Sequence, residues 1–259
     1  MNVNFNISDK ISPMTMEIIR SFISAIILIF LGKIFSWLKK MFYRRNFREL
    51  FGNDSIHDFY LVYGEMEIRP EVYSNGIEWP LYKPELPGHL FRVSSLVSST
   101  TPRAIEYLLG LFKKNADARP KLISDRKIIN ELDLSFISIG GINNLKTTSL
   151  LEHSENNFFR FDASGRNIEI VTKRDNGTRF CITEKEDVGF IIKIVSKGFP
   201  NKTWIAVAGL GEWGTTGAIW FLAKKWKKLP KNKSFGAIIR TKFRQDESAE
   251  MIYLIEGLK

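Results

Sequence analysis

The chain has 259 residues, of which 44% are hydrophobic and 25% are charged, and it carries a formal net charge of +10 at pH 7. This composition is typical of a folded domain and excludes an intrinsically disordered chain. The single cysteine, Cys181, excludes an intrachain disulfide and a CxxC metal site, in agreement with a reducing compartment. We interpret Cys181, which lies in a β-rich stretch, as a small packed residue rather than a nucleophile.

An apolar run from Ile18 to Leu38 predicts a transmembrane helix, assigned to residues 15–38 after a short extracytoplasmic tail of residues 1–14. As a helix the run reaches about 31 Å, close to the ~30 Å thickness of the bilayer hydrocarbon. Arg20 and Lys33 interrupt it toward its ends, where long side chains reach the headgroups. A helix lying in the membrane interface would need one polar face, and a cleaved signal peptide would need a small-residue site after the run, so both are disfavoured.

Basic residues follow this run far more often than they precede it. Lys10 is the one before it, and those after it are Lys39, Lys40, Arg44, Arg45 and Arg48. Because such residues are retained on the cytoplasmic side, the N-terminus is predicted to lie outside the cell membrane. Residues 39–56 then form a basic juxtamembrane segment against anionic lipid, and residues 57–259 form a cytoplasmic domain.

Beyond the membrane segment, predicted strands and helices alternate. The predicted strands are 58–63, 134–139, 203–208, 235–243 and 251–256, and the predicted helices are 102–114, 144–153 and 215–229. Four short strands between 158 and 195 are joined by turn sequences and predict an antiparallel meander. The fold class is therefore α/β, with a mixed, largely parallel Rossmann-like sheet. A proline- and glycine-rich connection at 70–88 predicts a binding loop or a covering flap.

One glycine motif, GLGEWGTTG at 209–217, carries most of the chemistry, because its G-x-G-x-x-G spacing lies between an apolar strand and a helix. In this respect the loop resembles a dinucleotide-binding turn. The resemblance implies that Gly209 permits the tight turn, Gly211 lets a phosphate approach the backbone, and Gly214 lets helix and strand pack closely. These glycines are candidate phosphate-binding residues, with Thr215 and Thr216 as hydroxyl donors at the helix start. No acidic residue follows about twenty positions later, and Arg240 and Lys242 stand in the next strand instead. A tight turn with close helix packing needs the same glycines and remains the alternative.

A second loop of the same kind follows the strand that ends at Ile139. It consists of Gly140, Gly141, Ile142, Asn143 and Asn144, and a helix comes next. Ligands of open α/β sheets bind at the carboxyl ends of the strands, so two such loops on neighbouring strands would hold one ligand from both sides. Gly140, Gly141, Asn143 and Asn144 are therefore candidate ligand-binding residues. Asn143 is also expected to be the N-cap of the helix.

Glu212 is the candidate catalytic residue, because a carboxylate in a glycine turn can act as acid or base or accept a sugar hydroxyl. Trp213 is placed to stack on a base or to pack its own loop. His57, His89 and His153 are dispersed, so no metal site is predicted. Six lysines between Lys224 and Lys233 form a basic patch, which we interpret as a solvated helix end or a lipid-facing surface rather than a nucleic-acid contact.

Three functional hypotheses follow. The first is a single-pass membrane protein whose cytoplasmic domain binds a nucleotide, a dinucleotide or another phosphorylated ligand, as a sensor or effector in bacterial signalling or anti-phage defence. The second is an enzyme that cleaves an N-glycosidic bond of a nucleotide with Glu212. The third is a structural interaction protein whose glycine turns only fold the chain. A homo-oligomer is compatible with each of them.

Overall fold

The computed structural model of the protein describes residues 13–67, 95–96, 98, 100–165, 167–174 and 177–257. The predicted loop at 70–88 lies outside these residues. The chain divides into two compact units, Met1–Arg45 and Asn46–Lys259. Helix α1 (Pro13–Phe51) supplies the described part of the first unit, and its last six residues belong to the second.

Helix α1 is long and apolar enough to cross a membrane by length and composition. Its apolar side chains are exposed all around the helix: Leu28, Phe30 and Phe35 are each 65–70% exposed. A helix that is apolar on every side is typical of a membrane span or of a helix buried inside a protein. The helix extends past the predicted end at residue 38 and includes most of the segment assigned as juxtamembrane.

A seven-stranded mixed sheet forms the centre of the second unit, in the order β12-β11-β9-β10-β5-β1-β4. The strands are β1 (Phe59–Tyr63), β4 (Lys121–Ser124), β5 (Ser135–Ile139), β9 (Glu186–Val195), β10 (Thr203–Gly209), β11 (Phe235–Lys242) and β12 (Gln245–Glu256). Strands β4, β1, β5 and β10 are mutually parallel, and β9, β11 and β12 continue the sheet in antiparallel pairs. The α/β class is confirmed, whereas the described sheet is parallel over only half of its strand pairs.

Two smaller sheets accompany the main one. Strands β2 (Met66–Glu67) and β3 (Ser95–Leu96) form a short pair, and β6 (Phe159–Asp162), β7 (Glu169–Thr172) and β8 (Arg179–Phe180) form a three-stranded antiparallel sheet. The predicted meander is therefore present as three strands. Its expected fourth strand is wrong, because β9 pairs with β10 and β11 inside the main sheet. The packed position expected for Cys181 is also wrong, since β8 ends before it and its side chain is exposed.

The helices of the second unit are α2 (Thr100–Ala116), α3 (Asp125–Ile128), α4 (Leu145–Glu152) and α5 (Glu212–Lys225), which a 3₁₀ turn at Trp226–Lys228 extends. On one face of the sheet, α2, α5 and the end of α1 enclose a core that includes Phe47, Phe51, Phe112 and Trp226. On the other face, α4 and the three-stranded sheet cover Phe136, Phe159, Phe190 and Trp204. Both faces are covered, which explains why β5 and β10 are continuous apolar runs.

The connections reverse direction between β1 and β5. From β1 the chain passes through β2, β3 and α2 to the edge strand β4, and it then returns through α3 to β5 on the opposite side of β1. From β5 it continues away from β1 toward β10. Two neighbouring parallel strands whose connections leave in opposite directions open a crevice at their carboxyl ends, and this is where ligands of open α/β sheets bind.

Candidate functional site

A cleft of about 440 Å³ opens at the carboxyl ends of β1, β5 and β10, where the connections reverse. A volume of this size suits a small organic ligand. Its lining consists of the segments after β1, β5 and β10, the residues around the start of α2, one residue of β6 and one just before β7. These residues are Gly64, Ser98, Thr101, Ile139, Gly140, Gly141, Ile142, Asn143, Asn144, Phe161, Ile168, Gly209, Leu210, Gly211, Glu212 and Thr215.

The two glycine loops meet in this cleft because β5 and β10 are parallel neighbours. Gly140 has a φ of +106°, a left-handed conformation that favours glycine and turns the chain sharply after β5. A Cβ added to Gly141 would lie 3.1 Å from the carbonyl oxygen of Gly209, so the loops touch through their backbones. The structure thus brings residues 140–144 and 209–212 together around one space.

The start of α5, however, already holds a negative charge. Asp187, at the beginning of β9, is 1% exposed, and its carboxylate accepts hydrogen bonds from the Gly214 amide at 2.7 Å and the Gly211 amide at 3.2 Å. It also accepts one from the Val188 amide at 2.7 Å. Burial raises the pKa of Asp187, and the backbone donors, including the Trp213 amide, oppose this shift.

The amides of Gly211 and Gly214 therefore already have an acceptor within the protein. A phosphate cannot take these donors, since the side chain of Asp187 occupies the place that it would fill. The glycines serve packing instead: a Cβ on Gly211 would lie 2.5 Å from an Asp187 carboxylate oxygen, and one on Gly214 would collide with the backbone of β9. A Cβ on Gly209 would collide with the first turn of α5. This is the alternative in which the glycine motif provides a tight turn and close helix packing.

The start of α4 is occupied in the same way. Asn144, rather than the predicted Asn143, is the N-cap: its side-chain oxygen accepts hydrogen bonds from the amides of Lys146 and Thr147. Its side-chain nitrogen donates to the carbonyls of Val62 and Ile139, which ties β1 to β5. Asp125 accepts a hydrogen bond from the Leu145 amide at 2.7 Å. Asn144 is 1% exposed, so it shapes the cleft floor and has no side-chain donor left for a ligand.

Further polar groups of the cleft lie in the loop between β5 and α4 and at the start of α5. Among the described residues, none accepts a hydrogen bond from the backbone amides of Gly141, Ile142 or Asn143. The side chain of Asn143 is exposed, and that of Glu212, the first residue of α5, is exposed on the facing side of the cleft. This loop, with one amide side chain and one carboxylate opposite it, is the principal polar feature of the cleft.

The two predicted threonine donors behave differently from each other. Thr215 lines the cleft, and its hydroxyl donates to the Gly211 carbonyl at 3.0 Å. Thr216 is fully buried, and its hydroxyl lies 2.7 Å from Asp246, which also pairs with Arg103. Thr216 therefore belongs to a structural network beneath α5 and not to the cleft.

An apolar wall completes the cleft. It consists of Phe161 from β6, Ile168 just before β7 and Leu210 from the glycine turn. The sequence analysis did not identify Phe161 or Ile168, because no local pattern indicates that the small sheet folds over the cleft. Trp213, predicted to stack on a base, instead lies 4.6 Å from the guanidinium of Arg103 and does not line the cleft.

Basic side chains are absent from the described lining of the cleft. Arg240 pairs with Glu186 at 3.6 Å, and Lys242 lines a separate groove with Lys185 and Glu186. The described residues also hold no cluster of three or more metal-ligating side chains. The cleft thus offers amide donors, one carboxylate and an apolar wall, a combination that suits a polar ligand with hydroxyl groups and a flat apolar part.

Comparison with known proteins adds no assignment. No protein-family model matches the chain, and no curated protein matches it.

Proposed function

We propose that the protein is a membrane-tethered sensor or effector whose domain binds a nucleoside or mononucleotide in the cleft between β1, β5 and β10. The observation that carries this proposal is that the 141–143 amides and Glu212 line opposite sides of one cleft, at the place where the strand order reverses. The same reversal supports describing the parallel half of the sheet as Rossmann-like.

Each part of such a ligand has a matching surface. The amides of Gly141 to Asn143 donate hydrogen bonds to a phosphate or to the sugar oxygens, and Glu212 accepts hydrogen bonds from the ribose hydroxyls. Phe161 and Ile168 pack against the base. Asp187 occupies the amides at the start of α5, so only the 141–143 loop amides are left for phosphate groups. One phosphate is therefore favoured over a pyrophosphate, and a mononucleotide over a dinucleotide.

The tether in this proposal is α1. Its exposed apolar surface and its length support one membrane crossing, and the basic residues after Leu38 support a cytoplasmic domain. The N-terminal tail then lies outside the cell membrane.

Binding to the full-length protein in mild detergent tests the proposal. Isothermal titration with AMP, GMP, CMP and UMP should show saturable binding of at least one of them. Removal of the carboxylate in Glu212→Gln weakens that binding about 10- to 100-fold, the value of a hydrogen bond to a charged group. The 2′,3′-dideoxy form of the same nucleotide should bind wild type and variant equally.

Glu184→Gln is the matched control, because Glu184 is an exposed glutamate as well but lies in the loop before β9 and does not line the cleft. Absence of binding by every nucleotide, or an equal loss in Glu184→Gln, would refute the assignment.

Glu212 also supports a second candidate function, cleavage of the N-glycosidic bond of the bound nucleotide. The supporting observation is an exposed carboxylate on the rim of a cleft that has a second polar loop opposite it. Chromatography of the incubated nucleotide distinguishes the two. Release of free base that Glu212→Gln abolishes, while binding persists, supports the enzyme; binding without turnover supports the sensor.

A further inference from the structure

The end of α5 and the turn after it form a strongly basic segment, which we call the lysine end (residues 224–233). Six of its ten residues are lysine, and none is acidic. Lys224, Lys227 and Lys228 are exposed, and their spacing of three and four residues places them on one side of the helix end. Lys225 and Lys233 are engaged within the domain, with the Ala249 carbonyl and with Glu256.

The lysine end is fixed to the residues that enter the domain from α1. Trp226 is 3% exposed, and its ring centroid lies 5.6 Å from that of Phe47 and 6.5 Å from that of Phe51. The Lys231 ammonium donates to the side-chain oxygen of Asn46 at 2.9 Å. Lys227 and Lys228 are thus held beside the first residues of the domain, by the aromatic packing of Trp226 before them and by the hydrogen bond of Lys231 after them.

Chain connectivity limits the distance of this surface from the bilayer. The proposed span ends at Leu38, eight residues before Asn46, and eight residues reach at most about 28 Å even when fully extended. Five more basic residues and no acidic residue lie between 39 and 48. Asn46, which contacts Lys231, therefore lies no more than about 28 Å from the proposed leaflet. Each lysine that reaches its negatively charged surface strengthens binding about fivefold.

The cleft lies at the opposite ends of the sheet strands from the end of α1. Gly52, just after α1, contacts Thr203 at the amino end of β10, whereas the cleft lies at the carboxyl end of the same strand. In contrast to the lysine end, the described lining of the cleft has Glu212 and no basic residue. The charge distribution thus distinguishes the strand ends beside the end of α1 from the strand ends that form the proposed ligand cleft.

We propose that the lysine end docks on anionic lipid of the cytoplasmic leaflet, as a second membrane contact that turns the cleft toward the cytoplasm. This inference rests on the proposed membrane span. It assigns Lys224, Lys227 and Lys228 to lipid phosphate rather than to nucleic acid, because the adjoining residues already lead into the bilayer.

A fluorophore on the full-length protein in vesicles tests the docking. In a Cys181→Ser background, Asn232→Cys labels the lysine end, and Glu184→Cys labels the loop before β9 as the control. Vesicles contain a nitroxide-headgroup quencher and either neutral lipid or about 30% phosphatidylserine. Phosphatidylserine should at least double the quenching at position 232 and leave position 184 unchanged. About 0.5 M NaCl, or the triple change Lys224→Gln, Lys227→Gln and Lys228→Gln, should abolish the increase.

Extraction with alkaline carbonate separates this proposal from that of the span. Protein that stays in the vesicles but is quenched equally with and without phosphatidylserine retains the span and overturns the docking. Protein that is extracted overturns both. Equal quenching combined with RNA binding that the triple change abolishes would reassign the lysine end to nucleic acid.

Discussion

Asp187 is the residue whose removal best tests how the glycine turn is held. Its carboxylate is 1% exposed and accepts hydrogen bonds from the amides of Val188, Gly211 and Gly214. In Asp187→Asn the side chain keeps its shape, but one oxygen becomes an amide nitrogen. Whichever way it turns, that nitrogen faces a backbone donor and cannot accept from it.

The expected loss has two parts. Hydrogen bonds to a charged acceptor contribute about 1.5–3 kcal/mol each, and a buried amide left without an acceptor costs about 1–3 kcal/mol. The raised pKa of Asp187 shows that burial already opposes its charge, which reduces the net loss. We therefore expect the free energy of unfolding to fall by about 2–4 kcal/mol, which corresponds to about 4–16 °C in Tm.

Thermal unfolding of the full-length protein in mild detergent, followed by circular dichroism, measures this change. Asp58→Asn is the control, because Asp58 forms an exposed ion pair with Lys121 at 2.7 Å. Such a pair contributes about 1 kcal/mol at most. If the Tm of Asp187→Asn equals that of Asp58→Asn, the carboxylate does not hold the turn, and the amides of Gly211 and Gly214 return to the set of ligand donors.

Three other perturbations give measurable outcomes. Burial lowers the pKa of Lys193 from 10.5 to about 7, so the unfolded chain binds a proton that the folded chain lacks between these values. The free energy of unfolding should rise from about pH 7 to pH 10, at ~1.4 kcal/mol per unit at most, and urea titrations of Lys193→Met should lack this contribution. Gly217→Ala should lower the Tm, since its Cβ collides with Thr241 and costs about 1–3 kcal/mol, whereas Gly110→Ala has open space and should raise it slightly. A reporter fused after Lys259 should be active only in the cytoplasm, and activity of a periplasmic reporter at that position would reverse the proposed orientation.

Three of the four parallel strands could be predicted because they are buried on both faces. Strands β1, β5 and β10 are apolar runs, and glycines mark the turns after β5 and β10. Strand β4 was missed: it has four residues, lies at the edge, and exposes Lys121 and Leu122, so it has neither length nor an apolar pattern. Strand β9 was assigned to the wrong sheet, because a turn sequence indicates a reversal of the chain and not the sheet in which the next strand pairs.

The site was predictable only as far as local spacing determines it. The G-x-G-x-x-G spacing correctly indicated a tight strand-to-helix turn at Gly209, and the neighbouring strands brought Gly141 to it. The partner of the turn was not predictable. Asp187 lies 24 residues before Gly211 and reaches it only because β9 runs beside β10. A motif therefore indicates the backbone shape of a turn, whereas the group that meets its amides depends on the strand order.

Strand β9 carries a buried polar side chain near each of its ends. Near one end, Asp187 accepts a hydrogen bond from the Gly214 amide at the floor of the cleft. Six residues further, about 20 Å along the strand, the buried amine of Lys193 donates to the Glu49 carbonyl in the last turn of α1. Neither side chain can move to another position without losing its buried hydrogen-bond partners. Strand β9 therefore joins the floor of the cleft to the last turn of α1 through buried hydrogen bonds near both of its ends.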